Sequence, residues 1–502
     1  MKNLNLRLFV VLLFAVLFTV SAATAAASGT ITIAQGVDVS TLDPHMSNDT
    51  PTTNVMFNIF DALLRRDVEM NLQPALAESY TQIDDLTWSV VLRQGVTFHN
   101  GEPFTAEAVK FSYERVLDPE MRSPQASGIR YVESVDIVDD YTVQITTNQP
   151  YPLLPNQMSA IAILPPQYYA EVGTDGFRQH PVGTGAYMFQ EWRRDERLVV
   201  EANPNYFLGA PAIEQAVFRP IPETATRMAE LQSGAVDLIV NVPPHQVRVL
   251  ENTAGLAAAT APSARILFIV LTTIEDGPLQ DVRVRQALNH AVDKQAIVNA
   301  ILEGYGIPLA APAPQASFGF DPDLEGYEYD PDRARQLLAD AGYADGFEVV
   351  FEAPSGRYLM DREVGQAVNG FLQAVGVNTD FSILEWGVFV GKLYEKAGAT
   401  MMLLGLGSSL MDADSYLYGQ LRTGQISSYY SNDELDALLD ASRTEMDVEK
   451  RLAMLHEAQR MSHEQAALIP LYQQVDIYGI RDRVAFTARP DERLLVFEME
   501  LK

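Results

Sequence analysis

The stretch LLGLGSSLMDADSYLYG, residues 403–419, gathers glycine, serine and aspartate in one loop after an apolar run. The amides of such a loop can bind phosphate, and its carboxylates can bind a metal ion or the cationic end of an organic ligand. The G-K-[ST] ending of a phosphate loop is missing. Asp412 and Asp414 also suit the first turn of a helix, so a capping role and a ligand-binding role both stay open for them.

Motifs for catalysis are missing from the rest of the sequence. The 7 histidines never take the H-E-x-x-H spacing of a zinc protease, and no cysteine is available as a nucleophile or zinc ligand. No G-x-S-x-G motif marks a nucleophilic serine. We therefore predict a protein that is not an enzyme and that uses no metal ion and no cofactor.

One segment resembles a calcium-binding loop. In DPDLEGYEYDPD, residues 321–332, acidic residues and Gly326 follow the EF-hand pattern. The preceding APAPQASFGF cannot form the entering helix, and Asp332 stands where the longer glutamate is needed. The sequence favours a solvated acidic loop, with calcium binding as the alternative.

Gly183 and Gly185 in PVGTGAY favour a tight turn. A nucleotide-binding loop would need further residues that this segment does not have.

Two aromatic residues follow predicted strands in the second half of the chain. FEVVF and VNTDFSIL are predicted strands, and the helix predicted between them has one apolar face formed by Val364, Val368, Phe371, Leu372 and Val375. This order is a βαβ unit with parallel strands. Ligands of open α/β sheets bind outside the carboxyl ends of the strands. We therefore expect Tyr358 and Trp386 beside a cleft, with packing in the core as the alternative.

The predicted secondary structure that would position these residues changes along the chain, from strands and hairpins to long helices. GTITIAQ alternates like a half-buried strand, and both VDIVDDYTVQITT and LTWSVVLRQGVTFHNGEPF predict β-hairpins. Thr105 is predicted to cap the helix AEAVKFSYERVL, and DVRVRQALNHAVDKQAIVNAIL predicts one long helix. We interpret the chain as two α/β lobes with a β-rich insertion.

The first 27 residues have the layout of a secretory signal peptide. Lys2 and Arg7 precede an apolar run of 13 residues, and small residues that fit an A-x-A cleavage site follow. The run is too short for a good membrane span. With no cysteine, the fold cannot depend on disulfides, and a lipid anchor on an N-terminal cysteine is excluded. We predict a free periplasmic protein.

The net charge limits the possible binding partners, and the length limits the number of domains. The formal net charge is −30 and becomes −32 without Lys2 and Arg7. Such an acidic chain is a poor candidate for binding nucleic acid or an anionic membrane. About 475 residues remain after cleavage, enough for two or three domains.

Segments along nearly the whole mature chain resemble one family, in the right order. The family is the extracytoplasmic solute-binding proteins, family 5, of peptide and nickel ABC importers. The segments are STLDPHMSNDTPTTNVMFNIFDALL, LQPALAESY, TWSVVLRQGVTFHNGEPFTAEAVKFSYERVLDP, HPVGTGAYMFQEW, LQSGAVDLIVNVP, DVRVRQALNHAVDKQAIV, YDPDRARQLLADAGY and YYSNDELDALLD.

The resemblance implies a periplasmic-binding-protein clamshell of type II, with two α/β lobes and an inserted β-rich third domain. A ligand would be buried between the lobes, and closure would be a hinge motion near Pro262 and Val475. The implied boundaries are signal peptide 1–27, discontinuous domain I at 28–43, 179–262 and 475–502, domain II at 44–178, and domain III at 263–474.

The resemblance also implies ligand-binding residues. Asn48, Asp49 and Thr50 match a ligand-lining loop, Arg357 matches an arginine that pairs with a substrate carboxylate, and Trp386 matches a cleft residue. An ion pair with Asp361, one turn later, is the alternative for Arg357. We predict a binding set of ten residues: Asn48, Asp49, Thr50, Arg357, Tyr358, Trp386, Leu406, Ser409, Asp412 and Asp414.

The loop at 403–419 departs from the pattern of the family. Leu406 replaces the usual tryptophan, and Ser409 stands where dipeptide binders have the aspartate that grips the α-amine. We therefore expect a solute without an essential α-ammonium at Ser409. Asp412 and Asp414 match the more general acidic part of the loop, where a larger solute could place a cation.

Together these features predict a substrate-binding component of an ABC importer. It would capture a small solute, peptide-like or another organic molecule, and deliver it to the permease subunits with their ATPases. We expect a monomer that binds no nucleic acid. A secreted hydrolase, or a chaperone or sensor with the same fold, is the alternative function.

Overall fold

The computed structural model describes residues 29–397 and 399–502, so the predicted signal peptide lies outside the described residues. The strands, in chain order, are β1 (Thr30–Gln35), β2 (Leu64–Arg66), β3 (Leu72–Pro74), β4 (Ala77–Gln82), β5 (Thr87–Leu92), β6 (Val132–Asp139), β7 (Thr142–Thr147), β8 (Tyr187–Arg193), β9 (Arg197–Ala202), β10 (Gln215–Pro220), β11 (Leu238–Ile239), β12 (Leu256–Leu271), β13 (Gly306–Pro308), β14 (Phe347–Ser355), β15 (Val377–Glu385), β16 (Met401–Gly407), β17 (Leu468–Arg481), β18 (Val484–Ala485) and β19 (Glu500–Leu501).

The described α-helices alternate with these strands. They are α1 (Thr50–Ile59), α2 (Ala106–Leu117), α3 (Ala126–Ile129), α4 (Leu154–Gln157), α5 (Pro166–Gln179), α6 (Thr224–Ser233), α7 (Pro244–Glu251), α8 (Val282–Ala291), α9 (Lys294–Ala300), α10 (Pro331–Asp340), α11 (Asp361–Ala374), α12 (Trp386–Glu395), α13 (Asp414–Leu421), α14 (Asp433–Ser442) and α15 (Val448–Glu464). No helix of the described residues has the length and apolar character needed to cross a membrane.

One mixed sheet runs through both α/β lobes. Its order is β15-β14-β16-β12-β17-β11-β1-β10-β9-β8, and β13 pairs with β17 outside this path. The β14–β15 pair is parallel, as the βαβ pattern predicts. The β1–β10 pair is parallel as well. The predicted apolar face of α11 is buried at Val364, Val368 and Leu372. Parallel strands covered by such helices place several strand ends at one edge of each lobe.

Two long antiparallel strands, β12 and β17, connect the lobes. Pro262 of β12 pairs with Val475 of β17, so the two positions expected to form the hinge face each other. The pairing shifts register between Pro262 and Ile266, and the N–H of Ala264 bonds to the carbonyl of Pro490 instead, at 2.7 Å. This irregularity leaves Ser263 and Arg265 free to project toward neighbouring segments.

A separate antiparallel sheet, β4-β5-β7-β6, lies within residues 44–178, the segment expected to form domain II. It packs on α2 around a core that includes Trp88, Val90, Tyr113 and Ile145. The sheet confirms the β-rich character predicted for this part of the chain. The domain boundaries themselves stay predictions.

Three local predictions differ from the structure. The segment after β5 forms an isolated bridge, Thr97 with Pro103, because β5 pairs with β4 and β7 on its two sides. The long helix predicted from Asp281 is two helices, α8 and α9, because Asp293 caps the second by accepting a bond from the N–H of Ala296 at 2.8 Å. Thr105 precedes α2, but its side chain makes no capping hydrogen bond.

Candidate functional site

A cleft of about 280 Å³ lies where the lobes meet. Four strands end at it: β1 leads into Gln35 to Ser40, β11 into Val240 and Asn241, β14 into Gly356 and Arg357, and β15 into Trp386. These are carboxyl ends of strands, where ligands bind in open α/β sheets. Further lining residues come from the start of α1 and from the C-terminal segment: Asp49, Thr50, Pro51, Asn54, Asp476, Tyr478 and Glu492.

Arg357 and Trp386 come together because of strand register. Ser355 of β14 pairs with Glu385 of β15, so the two strands end side by side. The Arg357 guanidinium carbon lies 5.7 Å from the Trp386 ring centre and 5.2 Å from that of Tyr358. Stacking on aromatic rings holds the guanidinium plane in place and leaves its N–H edge available.

The Arg357 guanidinium is not paired with Asp361, which was the alternative for this residue. The Asp361 carboxylate instead accepts bonds from the backbone N–H groups of Gly356, Arg357 and Tyr358, at 3.2, 2.9 and 3.0 Å. Asp361 therefore shapes the loop. In the described part of the chain, no carboxylate forms an ion pair with the Arg357 guanidinium and no acceptor bonds to it.

Burial lowers the pKa of Arg357, and the positive charge of Arg265 adds to this lowering. Both guanidinium groups keep their charge near neutral pH, because the pKa of arginine starts so high. An anion bound at Arg357 would relieve the repulsion between the two cations. The electrostatics of this end of the cleft therefore favour a negatively charged ligand group.

Arg265 already has a partner. Its Nε lies 2.8 Å from Oε1 of Glu492, and its Nη2 donates to Oε2 of Glu492 at 3.0 Å and to Oγ1 of Thr50 at 3.2 Å. Burial opposes ionisation of Glu492, but Arg265 and Arg357 outweigh it and lower the pKa of Glu492. Glu492 also has a left-handed backbone, with φ of 60°, which is uncommon for this residue type and is typical of functional sites.

Tyr358 packs behind the residues that line the cleft. It is 6% exposed, and its hydroxyl donates to the carbonyl of Gly405 at 3.0 Å. A Cβ at position 405 would lie 2.4 Å from Leu267 and 2.7 Å from the Tyr358 ring, so this close approach requires glycine. Tyr358 is not among the residues that line the cleft.

Asp49 and Thr50 line the cleft at the start of α1. Asp49 caps the helix by accepting from the N–H of Thr52 at 2.9 Å, and it also accepts from the hydroxyl of Ser40 at 2.9 Å. Asn48 is exposed and donates to the carbonyl of Pro124 at 3.1 Å, outside the cleft lining. Of this predicted loop, two residues therefore lie at the cleft.

The loop after β16 was expected at the cleft, but in the structure it lies outside the cleft lining. Leu406 packs against the core, and neither Leu406 nor Ser409 lines the cleft. The carbonyl of Leu410 accepts bonds from Arg66 at 2.6 Å and from Asn156 at 2.8 Å. Both donors lie in residues 44–178, so this loop connects the predicted domains II and III.

Asp412 and Asp414 point into the protein. Asp412 is 2% exposed, and both its oxygens accept from Arg451 at 2.8 Å. Asp414 is 1% exposed, and both its oxygens accept from Arg443 at 2.7 Å. Asp412 Oδ1 also accepts from the N–H of Asp414 at 3.0 Å, near the start of α13. In this conformation both carboxylates fix the loop and do not reach the cleft.

The acidic loop at 321–332 begins with a carboxylate that is held by a cation of the protein. Asp321 is buried and lies 3.2 Å from Nε of Arg460. Among residues 29–397 and 399–502, no three histidine, cysteine, aspartate or glutamate side chains come together in a way that could hold a metal ion.

Several residues that line the cleft were not predicted from the sequence. Gln35, Val240 and Asn241 could have been found from the strand-end rule, because each lies at or just beyond the end of a strand. Asp476 and Glu492 carry no local signal. They reach the cleft only because β17 and the C-terminal segment return to it from more than two hundred residues beyond Arg265.

Comparison with known proteins identifies the family. Residues 71–428 match the bacterial extracellular solute-binding proteins, family 5. The glutathione-binding protein GsiB of Salmonella typhimurium is 30% identical over 468 residues, covering 90% of each chain. The periplasmic binding protein DppA of Helicobacter pylori, solved with the peptide STSA, is 25% identical with a TM-score of 0.86, covering 94% of this chain and 98% of its own.

A third relative binds a different kind of solute. The binding protein MoaA from A. tumefacien R10, solved with mannopinic acid, is 25% identical with a TM-score of 0.84, covering 95% of this chain and 100% of its own. These likenesses confirm the predicted type II periplasmic-binding-protein fold. They also confirm the predicted function, a substrate-binding component of an ABC importer. The chain belongs to the bacterial extracellular solute-binding proteins, family 5.

Proposed function

We propose that this protein captures a small organic solute that carries a carboxylate and delivers it, chemically unchanged, to an ABC permease. The observation that carries the proposal is the Arg357 guanidinium, which faces the interlobe cleft without an acceptor among the described residues. A guanidinium binds a carboxylate through two parallel hydrogen bonds. The charge of Arg265 is already balanced by Glu492, so Arg357 is the cation left for the solute.

The size and lining of the cleft support a small solute. Its volume of about 280 Å³ is just below the usual range for ligand sites, about 300–1,000 Å³. Trp386, Tyr478, Val240 and Val37 supply apolar surface around the polar groups. We propose a solute of the size of a di- or tripeptide, and glutathione, which the Salmonella typhimurium relative is named for, is a first candidate.

The proposed compartment and assembly follow from the sequence. The predicted signal peptide and the lack of cysteine support a free periplasmic protein without a lipid anchor. We propose that it acts as a monomer. The partners would be the permease subunits with their ATPases.

A thermal-shift screen tests this function. The panel contains glutathione, Met-Leu, Ala-Ala-Ala, mannopinic acid and nickel with histidine. A true ligand at 100 times its dissociation constant should stabilise the folded protein by about 2.7 kcal/mol. The hit is then incubated with the protein and recovered for mass spectrometry. We expect the intact solute, and turnover beyond a trace would instead support the hydrolase alternative.

Ligand binding should change the fluorescence of Trp386. This side chain lines the cleft, whereas the other two tryptophans, Trp88 and Trp192, are outside the lining. We expect the best hit of the panel to shift the emission of the wild-type protein, and Trp386→Phe to lose most of that shift. Trp88→Phe, in the core under the β4-β5-β7-β6 sheet, is the control and should keep it. A full signal in Trp386→Phe would assign the change to a distant conformational effect.

A further inference from the structure

Two residues that line the cleft each have a buried side-chain oxygen with no hydrogen-bond donor among the described residues. The two oxygens are Oδ1 of Asn54 and Oδ2 of Asp476. Asn54 is 4% exposed and Asp476 is 6% exposed. A buried oxygen without a donor costs free energy, so native proteins rarely keep one without a purpose. Other buried polar atoms of the described residues also lack a partner, but these two oxygens belong to neighbouring walls of one ligand cleft, where a donor group of the solute can reach them.

The orientation of the Asn54 amide is set by its neighbours. Nδ2 of Asn54 donates to Oε1 of Gln35 at 3.3 Å, and Nε2 of Gln35 donates to the carbonyl of Pro51 at 3.1 Å. Turning the Asn54 amide over would place two carbonyl oxygens against each other. Its Oδ1 is therefore the atom left without a donor.

Asp476 is in surroundings that suit a cation. Its Oδ1 accepts from Nε2 of Gln474 at 2.6 Å, which leaves Oδ2 unpaired. Burial and the nearby carboxylate of Glu492 raise the pKa of Asp476 to about 7. The nearest cation, Arg265, is bound to Glu492 and gives Asp476 no hydrogen bond. An ammonium group at Oδ2 would balance this charge and remove the cost of burying it.

We propose that Asp476 and Asn54 form a subsite for an ammonium group of the solute. This inference rests on the proposed function and adds that the solute is a zwitterion, with its carboxylate at Arg357 and its ammonium at Asp476 and Asn54. The subsite replaces the grip missing at Ser409, which lies outside the cleft lining. Because Asp476 is next to Val475 at the crossing of β12 and β17, the ammonium would bind beside the expected hinge.

Matched probes with and without a free amine test the subsite. The probes are glutathione and Met-Leu, each compared with its N-acetyl form by calorimetry at pH 7.5. In the wild type we expect at least one free-amine probe to bind about 10- to 100-fold more tightly than its acetylated form, the range for a hydrogen bond to a charged group. In Asp476→Asn this ratio should fall to about 1 to 2, because the neutral amide no longer favours a cation.

Two further variants keep the result interpretable. Asp85→Asn makes the same change in net charge on the exposed turn after β4, and it should keep the wild-type ratio. Asn54→Leu removes the second acceptor and should lower the ratio in part, even if Asp476→Asn does not fold. The proposal is overturned if neither free-amine probe outbinds its acetylated form in the wild type, or if the ratio survives both cleft variants. If no solute of the full panel binds, the proposed function fails as well.

Discussion

Replacing Arg357 with alanine should weaken binding of a carboxylate-bearing solute by on the order of 2–5 kcal/mol, the range for losing one partner of a buried charge pair. The cost is large because the solute carboxylate would leave water for a cleft with no other free cation in the described residues. The buried Arg265 would not replace Arg357, because its Nε and Nη2 are bound to Glu492 and Thr50 and it does not line the cleft. Calorimetry with the best hit of the solute panel measures the loss.

Three comparisons define the role of this arginine. Arg357→Lys should recover only part of the affinity, since an ammonium cannot form the two parallel bonds of a guanidinium. Arg362→Ala, on the exposed face of α11, should change affinity little. Against a solute whose carboxylate is converted to an amide, wild type and Arg357→Ala should differ much less. A loss below about 0.5 kcal/mol for the acid would mean that Arg357 acts as a surface charge.

The parts of this fold that could be predicted are those with local causes. Alternation of apolar residues identified β1, and the βαβ pattern identified β14, α11 and β15. The strand-end rule then predicted Tyr358 and Trp386 beside the cleft, and of these two Trp386 lines it. Arg357 was implied by the resemblance to the family, not by the strand pattern. The two helices α8 and α9 were predicted as one, because the apolar periodicity continues across the break and the capping by Asp293 becomes visible only with its bond to Ala296.

The rest of the site depends on contacts between distant segments. Glu492 and Arg265 pair over 227 residues, and no spacing rule connects them. For the same reason, the sequence left both a capping role and a ligand-binding role open for Asp412 and Asp414 in the loop at 403–419. Its two aspartates look like ligand-binding groups in sequence, but the arginines that hold them, Arg443 and Arg451, lie on or near helices further along the chain. The sequence of a glycine-rich acidic loop does not show whether its carboxylates pair with a cation of the protein or with a cation of the ligand.

This arrangement predicts a large stability effect at Asp412. Asp412→Ala leaves the buried Arg451 guanidinium without its carboxylate and should lower the free energy of unfolding by about 3–5 kcal/mol. Denaturant unfolding measures the change. Asp433→Ala, an exposed aspartate in the first turn of α14, is the control and should cost less than about 1 kcal/mol.

A paired replacement separates structure from binding at this position. Replacing both partners, Asp412→Leu with Arg451→Met, should recover much of the lost stability, because no unpaired charge stays buried. The double variant should also keep the wild-type preference between free-amine and N-acetyl probes, since neither side chain lines the cleft. If a stable double variant loses this preference, Asp412 contributes to solute binding. The Asp412 carboxylate would then leave Arg451 and pair with the cation of the ligand. This change of partner requires the loop after β16 to rotate toward the cleft.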